Sequence, residues 1–317
     1  MVHESIMEKI RPITEEERSI LSGESIDRNL YMEEGGDVVH REKLLEQGKL
    51  ITLRPHTRFI DFPPHTHDYI EVVYMCAGST VQVINGKRVT LAEGELLFLS
   101  PDAVQEIEKA GEADIAVNFI ILPQFFDKAL EMLGAEETPL KRFILDSLSG
   151  SSGSSAYLHF KVAEVLPVQN LIENLLYTLV CAIPNKRQVN QTTMGLLLLQ
   201  LIGCTDRLSV EDPEDALLVE VLRYIEENYR DGSLRELAGR LHHDFYWLSR
   251  EIKRASGRTY TQLMQEKRLN QAAFLLKTTR MNVAEISEAV GYENVSYFHR
   301  LFAGRYGVSP FRYRECK

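Results

Sequence analysis

Ser233-Leu234-Arg235-Glu236-Leu237-Ala238 and Asn282-Val283-Ala284-Glu285-Ile286-Ser287, 49 residues further on, are two copies of one pattern. In the first copy Ser233 and Glu236 have the spacing of a capping box. The serine holds early backbone N–H groups and the glutamate reaches back. Each copy then sets a small residue, Ala238 or Ser287, where two helices must approach closely. The copies continue as Leu248-Ser249-Arg250…Ile252 and Phe298-His299-Arg300…Phe302, and end at Gly257 and Gly307. A short helix, a tight turn and a second helix, repeated, predict two helix-turn-helix units. Between them, Thr259 and Gln262 cap a linking helix with apolar Leu263, Leu269, Ala272, Ala273 and Leu276. Such a spacer would fix the distance between two reading heads.

This stretch resembles the DNA-binding domain of the AraC/XylS family of regulators. The resemblance rests on Leu237-Ala238, Leu248-Ser249-Arg250, Arg268-Leu269, Ala284-Glu285-Ile286 and Val290-Gly291-Tyr292. It continues through Ser296-Tyr297-Phe298-His299-Arg300-Leu301-Phe302 and Gly307-Val308-Ser309-Pro310-Phe311-Arg312-Tyr313-Arg314. It implies two recognition helices entering successive major-groove segments of duplex DNA. Helical spacing turns Leu248, Ile252 and Ala255 inward and leaves Tyr246, Ser249, Arg250 and Lys253 outward. In the second unit Phe298 and Phe302 turn inward, leaving Val295, Ser296, His299 and Arg300 toward DNA. Arg250 has the two parallel donors that match guanine O6 and N7. Arg254, Lys267, Arg305 and Arg312 are candidates for phosphate contacts, which position without specifying sequence. Trp247 is expected to pack rather than read bases. Val295 stands where the family often has a polar residue, and could meet only a thymine methyl. Ala303-Gly304 replaces a usual basic pair, which predicts a looser phosphate grip by the second unit.

The chain of 317 residues carries a net charge of −10, which taken whole argues against a polyanionic partner. The charge is divided, however. From Ala216 onward there are 17 Lys+Arg and 12 Asp+Glu, a net of +5. The residues before it hold 19 and 34, a net of −15. That asymmetry fits an acidic regulatory part joined to a basic nucleic-acid part. No apolar run reaches the ~18 residues of a membrane span. Met1–Arg11 lacks the basic start and apolar centre of a signal peptide, so a cytoplasmic location is expected. Cys76, Cys181, Cys204 and Cys316 form no C-x-x-C pair and are read as reduced thiols.

The pattern predicts a multidomain α+β chain. Residues 1–49 read as a helical or irregular segment and 50–135 as a cupin-like β-barrel. Residues 136–215 read as a helical linker and dimerisation region, and 216–317 as the all-α double helix-turn-helix domain. In the barrel, Ile70–Met75 and Val81–Ile84 are β-branched and aromatic runs. Asn85-Gly86 between Val81–Ile84 and Arg88–Leu91 is a two-residue hairpin signal. Glu93-Gly94 marks another turn. Gly150–Ser155 reads as a loop, and Asp212-Pro213-Glu214-Asp215 as the main break. Leu171, Leu175, Leu179 and Met194, Leu197, Leu198, Leu201 are helix-spaced apolar stripes that would serve a homodimer or pack on the barrel.

His65-x-His67-x3-Glu71-x6-Gly78 has the spacing of the first cupin motif, and Gly94-Glu95 with Pro101 and Asp102 resembles part of the second. His65 and His67, two apart on a strand, share a face. With Glu71 they could hold a metal. Gln105 stands where the second motif supplies another histidine, and an amide is a poor transition-metal ligand. The preferred reading is a metal-free effector pocket built from His65, His67, Glu71 and Gln105, with no cofactor. A structural role for the histidines and a bound metal are the alternatives. Sensor domains of AraC-type regulators resemble cupins and often bind sugars or other small metabolites. The resemblance therefore implies a non-enzymatic, effector-controlled regulator with promoter DNA, a second copy and RNA polymerase as partners. The competing readings are a metal-dependent cupin oxygenase or isomerase, and a protein-interaction module with degenerate DNA contacts.

Overall fold

The computed structural model describes residues 2–133, 138–149, 156–181, 186–210 and 213–315. The chain divides into two compact units, Met1–Glu211 and Asp212–Lys317. Gly150–Ser155 and Cys316 lie outside the described residues.

In chain order the first unit runs α1 (Glu4–Ile10), α2 (Glu15–Leu21), β1 (Val38–Val39), α3 (Arg41–Leu44), β2 (Ile51–Pro55) and β3 (Phe62–His67). It continues with β4 (Ile70–Ala77), β5 (Ser79–Ile84), β6 (Lys87–Ala92), β7 (Leu96–Leu99), β8 (Gln105–Ile107) and β9 (Ile115–Ile121). Then come α4 (Asp127–Leu133), α5 (Pro139–Ser149), β10 (Tyr157–Phe160), α6 (Leu166–Val180), α7 (Lys186–Ile202) and β11 (Leu208–Val210). One sheet has the order β1-β3-β8-β5-β6, the other β11-β10-β7-β4-β9-β2. The β5–β6 hairpin closes through Asn85 (φ 50°) and Gly86 (φ 82°), as the Asn-Gly pair predicts for a left-handed two-residue turn.

The second sheet is covered on both faces, which is why β4 is apolar almost without alternation. Val72, Tyr74 and Cys76 face a large core shared with helices. Val73 and Met75 face a second cluster between the sheets. Glu71 has the parity of Val73 and Met75, so its carboxylate is carried inside. On β9, Asn118 has the inward parity of Ala116 and Ile120.

Two expectations are corrected here, and one left open is decided. Residues 1–49 are not a separate segment. Ile6, Met7 and Ile10 of α1 lie in the main core, and β1 pairs in parallel with β3 at Val38↔Thr66 and Val39↔His67. Residues 136–215 are not purely helical, because β10 pairs with β7 and β11 pairs with β10. The sensor sheet therefore extends past residue 135. The stripe Met194, Leu197, Leu198, Leu201 is spent in the main core, and the exposed apolar residues of α7 are Val189, Leu196 and Leu199.

The second unit comprises α8 (Pro213–Asn228), α9 (Leu234–Arg240), α10 (Phe245–Ser256), α11 (Tyr260–Thr278), α12 (Val283–Ala289), α13 (Val295–Tyr306) and α14 (Pro310–Glu315). Pro213, read as a breaker, instead opens α8, where its missing N–H costs nothing. The Ser233 box is half-formed: Ser233 Oγ accepts from Glu236 N–H. The reciprocal bond is replaced by Tyr224, whose hydroxyl accepts from Ser233 N–H and donates to Glu236 at 2.8 Å. Thr259/Gln262 and Asn282/Glu285 form complete boxes.

Arg268 of α11 joins the parts of this unit. Its Nε donates to Tyr229 O at 2.6 Å, Nη2 to Arg230 O at 2.8 Å and Nη1 to Gly291 O at 2.9 Å. The end of α8 and the turn before α13 are thus held by one guanidinium. Gly291 sits at φ 87°, and any Cβ there would collide with the Arg230 carbonyl. Replacing Arg268 with Ala leaves three carbonyls to find new partners, so Arg268→Ala should destabilise the C-terminal unit by on the order of 3 kcal/mol. Urea denaturation followed by far-UV circular dichroism checks this, with Lys253→Ala as the unchanged control.

Candidate nucleic-acid interface and effector pocket

The helices α10 and α13 are the second helices of the two repeats, and both end on a left-handed glycine, Gly257 or Gly307. Asp244 and Asn294 cap their N-termini through side-chain oxygens. Leu248, Ile252, Phe298 and Phe302 are buried at 0–1 % exposure. On the opposite faces Tyr246, Arg250, Lys253, Arg254, Val295, Ser296, Arg300 and Arg305 are exposed, and Ser249 and His299 are half-buried. The expected inward and outward sets therefore separate, except that Ala255 is only half-buried. Trp247, read as a packing residue, keeps 37 % of its surface and lies against His243 with ring centroids 4.4 Å apart.

The cationic side chains differ in what holds them. Arg254 pairs with Glu251 at 2.6 Å, Lys267 with Glu226, and Arg305 with Glu266 at 2.6 Å. Glu266 of α11 also receives Arg258, so one carboxylate of the linking helix ties the two helix-turn-helix copies. Arg300 lies over the Tyr297 ring at 5.3 Å, and the Tyr297 hydroxyl accepts from Gln265 of α11 at 3.1 Å. The repeat also exposes a charge contrast. Ser233–Gly257 holds five Lys+Arg and three Asp+Glu; Asn282–Gly307 holds two and three. Arg235, Arg240, Lys253 and Arg254 correspond to Ala284, Ala289, Ala303 and Gly304.

In the first unit the four expected pocket residues come together. His65 and Gln105 are cross-strand partners on β3 and β8, and the His65 and His67 ring centroids are 4.9 Å apart. His67 Nε2 is 3.7 Å from Glu71 Oε2. All four are buried at 5 % exposure or less. Around them lies a polar network that the sequence reading missed. Asn118 donates to Glu71 at 3.0 Å and shares a 2.9 Å bond with His56, while Gln105 donates to Gln82 at 2.7 Å. The signal was present as single polar residues inside apolar strands: Asn118 in Ile115–Ile121 and Gln82 in Ser79–Ile84. His65, His67 and Glu71 line a cavity of about 40 Å³ with Tyr31, Phe62 and Tyr69.

A helix-turn-helix domain model matches residues 237–315, and an AraC-like ligand binding domain model matches residues 47–202. The chain belongs to the AraC family of transcriptional regulators. The HTH-type transcriptional activator RhaR of Shigella flexneri serotype 5b is 22 % identical over 259 residues, covering 80 % of this chain and 87 % of RhaR. The uncharacterized HTH-type transcriptional regulator YfiF of Bacillus subtilis is 23 % identical over 256 residues, covering 79 % and 78 %. The C-terminal domain of AraT, a response regulator from Geobacillus stearothermophilus, is 31 % identical with a TM-score of 0.32, covering 33 % of this chain and 89 % of that one.

Among the described residues no three His, Cys, Asp or Glu side chains are arranged to hold an ion. His65 Nδ1 is taken by the Pro63 carbonyl at 2.8 Å, and Gln105 offers only an amide. Burial sets the protonation instead. It pushes Glu71 up to about 7 against the downward pull of the Asn118 and Gln105 amides, and pushes His65 down to about 4. His67 is also driven well down by burial.

The signs of the two linkages oppose. Below its ordinary 4.5 Glu71 is protonated in both states. Between 4.5 and 7 the unfolded chain gives up that proton first, so native stability falls as pH rises. His65 supports the native state above its ordinary 6.5 and withdraws that support as pH falls toward 4. Glu71→Gln should therefore gain on the parent chain from pH 4.5 to 7 and stay level above, by on the order of 3 kcal/mol. Urea midpoints of both proteins at pH 4.5, 6 and 8 measure it; a variant–parent difference that stays the same at all three pH values contradicts it.

Proposed function

We propose that the regulator reads promoter DNA with the exposed faces of α10 and α13, as a homodimer, under the control of a small molecule bound among His65, His67, Glu71 and Gln105. The observation that carries the reading is the repeat itself. Arg250 and Arg300 occupy the same place in two equivalent helices, both are exposed, and both helices are tied to one linking helix. That helix has 19 residues, or about 28 Å at 1.5 Å per residue. This suits reading heads serving neighbouring major-groove segments about 34 Å apart.

On this reading Arg250 and Arg300 specify bases, and Tyr246, Ser249, Val295, Ser296 and His299 complete the two faces. Lys253, Arg254, Arg305 and Arg312 neutralise phosphates; Arg254 and Arg305 exchange their carboxylate partners for DNA. The first helix-turn-helix copy, richer in cations, supplies more of the salt-sensitive grip. The pocket works without a metal and catalyses nothing. The protein acts in the cytoplasm, on RNA polymerase at the promoter it occupies. The homodimer forms through α7, where Val189, Thr192, Leu196 and Leu199 follow the three- and four-residue spacing of a coiled-coil seam. Three of these are apolar residues that keep 39–44 % of their surface exposed among the described residues.

DNA selected from a random pool by the parent protein supplies the probe. Arg250→Ala or Arg300→Ala should weaken binding about 5- to 150-fold and relax one base position. Lys253→Ala should weaken all sequences alike and lower the slope of log K against log salt by about one. An unselective parent protein, or variants without effect, would overturn the assignment. For the dimer, Leu196→Glu with Leu199→Glu should yield monomers by light scattering while far-UV circular dichroism is unchanged.

A further inference from the structure

Phe245-Tyr246-Trp247 opens α10 with three consecutive rings, and the three are not equivalent. Phe245 lies under the Arg235 guanidinium, 5.8 Å from the ring centroid, and Trp247 lies against His243. Tyr246 keeps 74 % of its surface, about twice the share of either neighbour, and its ring meets that of Phe245 edge-on at 5.4 Å and 88°. Single exposed rings are ordinary on a protein surface. The place of this one sets it apart. At ~3.6 residues per turn, Tyr246, Arg250 and Lys253 fall on one line along α10, opposite the buried Leu248 and Ile252. The matching line on α13 is Ser296, Arg300 and Ala303. The two crests share an arginine and differ one turn before it. The first copy has a large ring there and the second a small hydroxyl side chain.

The chemistry of the partner follows from this crest. The N-terminal residues of a recognition helix meet base edges. Tyr246 stands in the first turn of α10, which Asp244 caps by accepting from the Tyr246 and Trp247 N–H groups at 3.0 and 2.9 Å. The major-groove edges of the bases carry hydrogen-bond donors and acceptors and one apolar projection, the C5 methyl of thymine. An aromatic face laid on donors and acceptors strips them of water and returns no hydrogen bond. Laid on the methyl, it buries apolar area on both sides. Tyr246 precedes Arg250 by one turn, about 6 Å along the helix axis, which is close to two base steps of ~3.4 Å.

We propose that Tyr246 is a specificity-determining residue of the first copy, reading the C5 methyl of a thymine about two base pairs from the pair that Arg250 reads. The second copy, with Ser296 in the equivalent place, carries no such requirement on its crest. The inference rests on the DNA-reading role of α10 proposed above and names the base feature which that helix recognises.

Deoxyuridine differs from thymidine by this methyl alone, so the test remakes the duplex selected by the parent protein with uracil at one thymine at a time. The full chain should lose about fourfold in affinity, the effect of one methyl-sized group, at a thymine in the half-site whose specificity Arg250→Ala relaxes. Tyr246→Phe should keep that penalty. Tyr246→Ala should bind the thymine duplex more weakly and no longer distinguish it from the uracil duplex. Both variants change an exposed side chain and should keep the parent's circular dichroism spectrum. The uracil scan on the parent chain needs neither of them. A selective parent that is indifferent to uracil at every position overturns the methyl contact and leaves the DNA reading standing. A strongest uracil effect in the half-site relaxed by Arg300→Ala also overturns it. So does a Tyr246→Ala chain that still feels the methyl, or a Tyr246→Phe chain that behaves like Tyr246→Ala, which would assign the hydroxyl to a polar contact instead. A parent that selects no sequence overturns the DNA reading itself.

Discussion

One guanidinium fixes the geometry on which the DNA-binding unit depends. Arg268 sits on the linking helix and gathers the Tyr229 and Arg230 carbonyls at the end of α8 with the Gly291 carbonyl at the turn into α13. Lysine could not span them, because a single ammonium lacks the planar fork that reaches three acceptors at set angles. The approach is so close that position 291 must be glycine. Glu266, two residues earlier, ties Arg258 and Arg305 in the same manner. The second recognition helix is thereby referenced to the same rigid rod as the first, and its own short hydrophobic contacts only have to hold local shape.

The sensor unit follows a different logic. Its core is split by the second sheet into a large apolar layer against the helices and a smaller layer between the sheets. Into the end of the inner layer the strands deliver Glu71, Asn118, Gln82 and Gln105, turned inward by strand parity, and His56 joins them from just past β2. A fold with stability alone at stake would fill such positions with apolar side chains, since a partly satisfied polar network is worse than none. The N-terminal segment closes this end, contributing Tyr31, Val39 and Leu44 to the cavity wall.

Much of this was legible in the sequence, for reasons that differ by element. The repeat in the last hundred residues was readable because both copies need the same inward residues, so each copy checks the other. The Asn85-Gly86 hairpin was readable because two consecutive left-handed residues admit few choices. Strands β10 and β11 were not. Tyr157–Phe160 and Leu208–Val210 are four and three residues long, too short to display a period, and their partners are distant in sequence. The place of α1 in the core was hidden for the same reason: Ile6, Met7 and Ile10 look like any amphipathic turn until the helix they meet, α6, is known. At the pocket, His65, His67, Glu71 and Gln105 were legible from spacing. Asn118 and Gln82 left only the trace of a lone polar residue in an apolar strand, and His56, just past β2, left none, because no local pattern says which strand faces which. Tyr224 substituting for half of the Ser233 capping box is likewise a tertiary event that no local rule anticipates.

The last strand before the DNA-binding unit has a practical corollary. The outermost rung of the second sheet is β11, only three residues long, and it shields the backbone of β10. A sensor fragment cut after α7 would strip that rung away and lay bare the N–H and C=O groups of Tyr157–Phe160. An uncovered edge of this kind recruits strands from other molecules. Soluble isolated sensor should therefore be sought in fragments that retain Val210, and turbidity in shorter ones should be ascribed to the severed edge before it is ascribed to misfolding of the pocket.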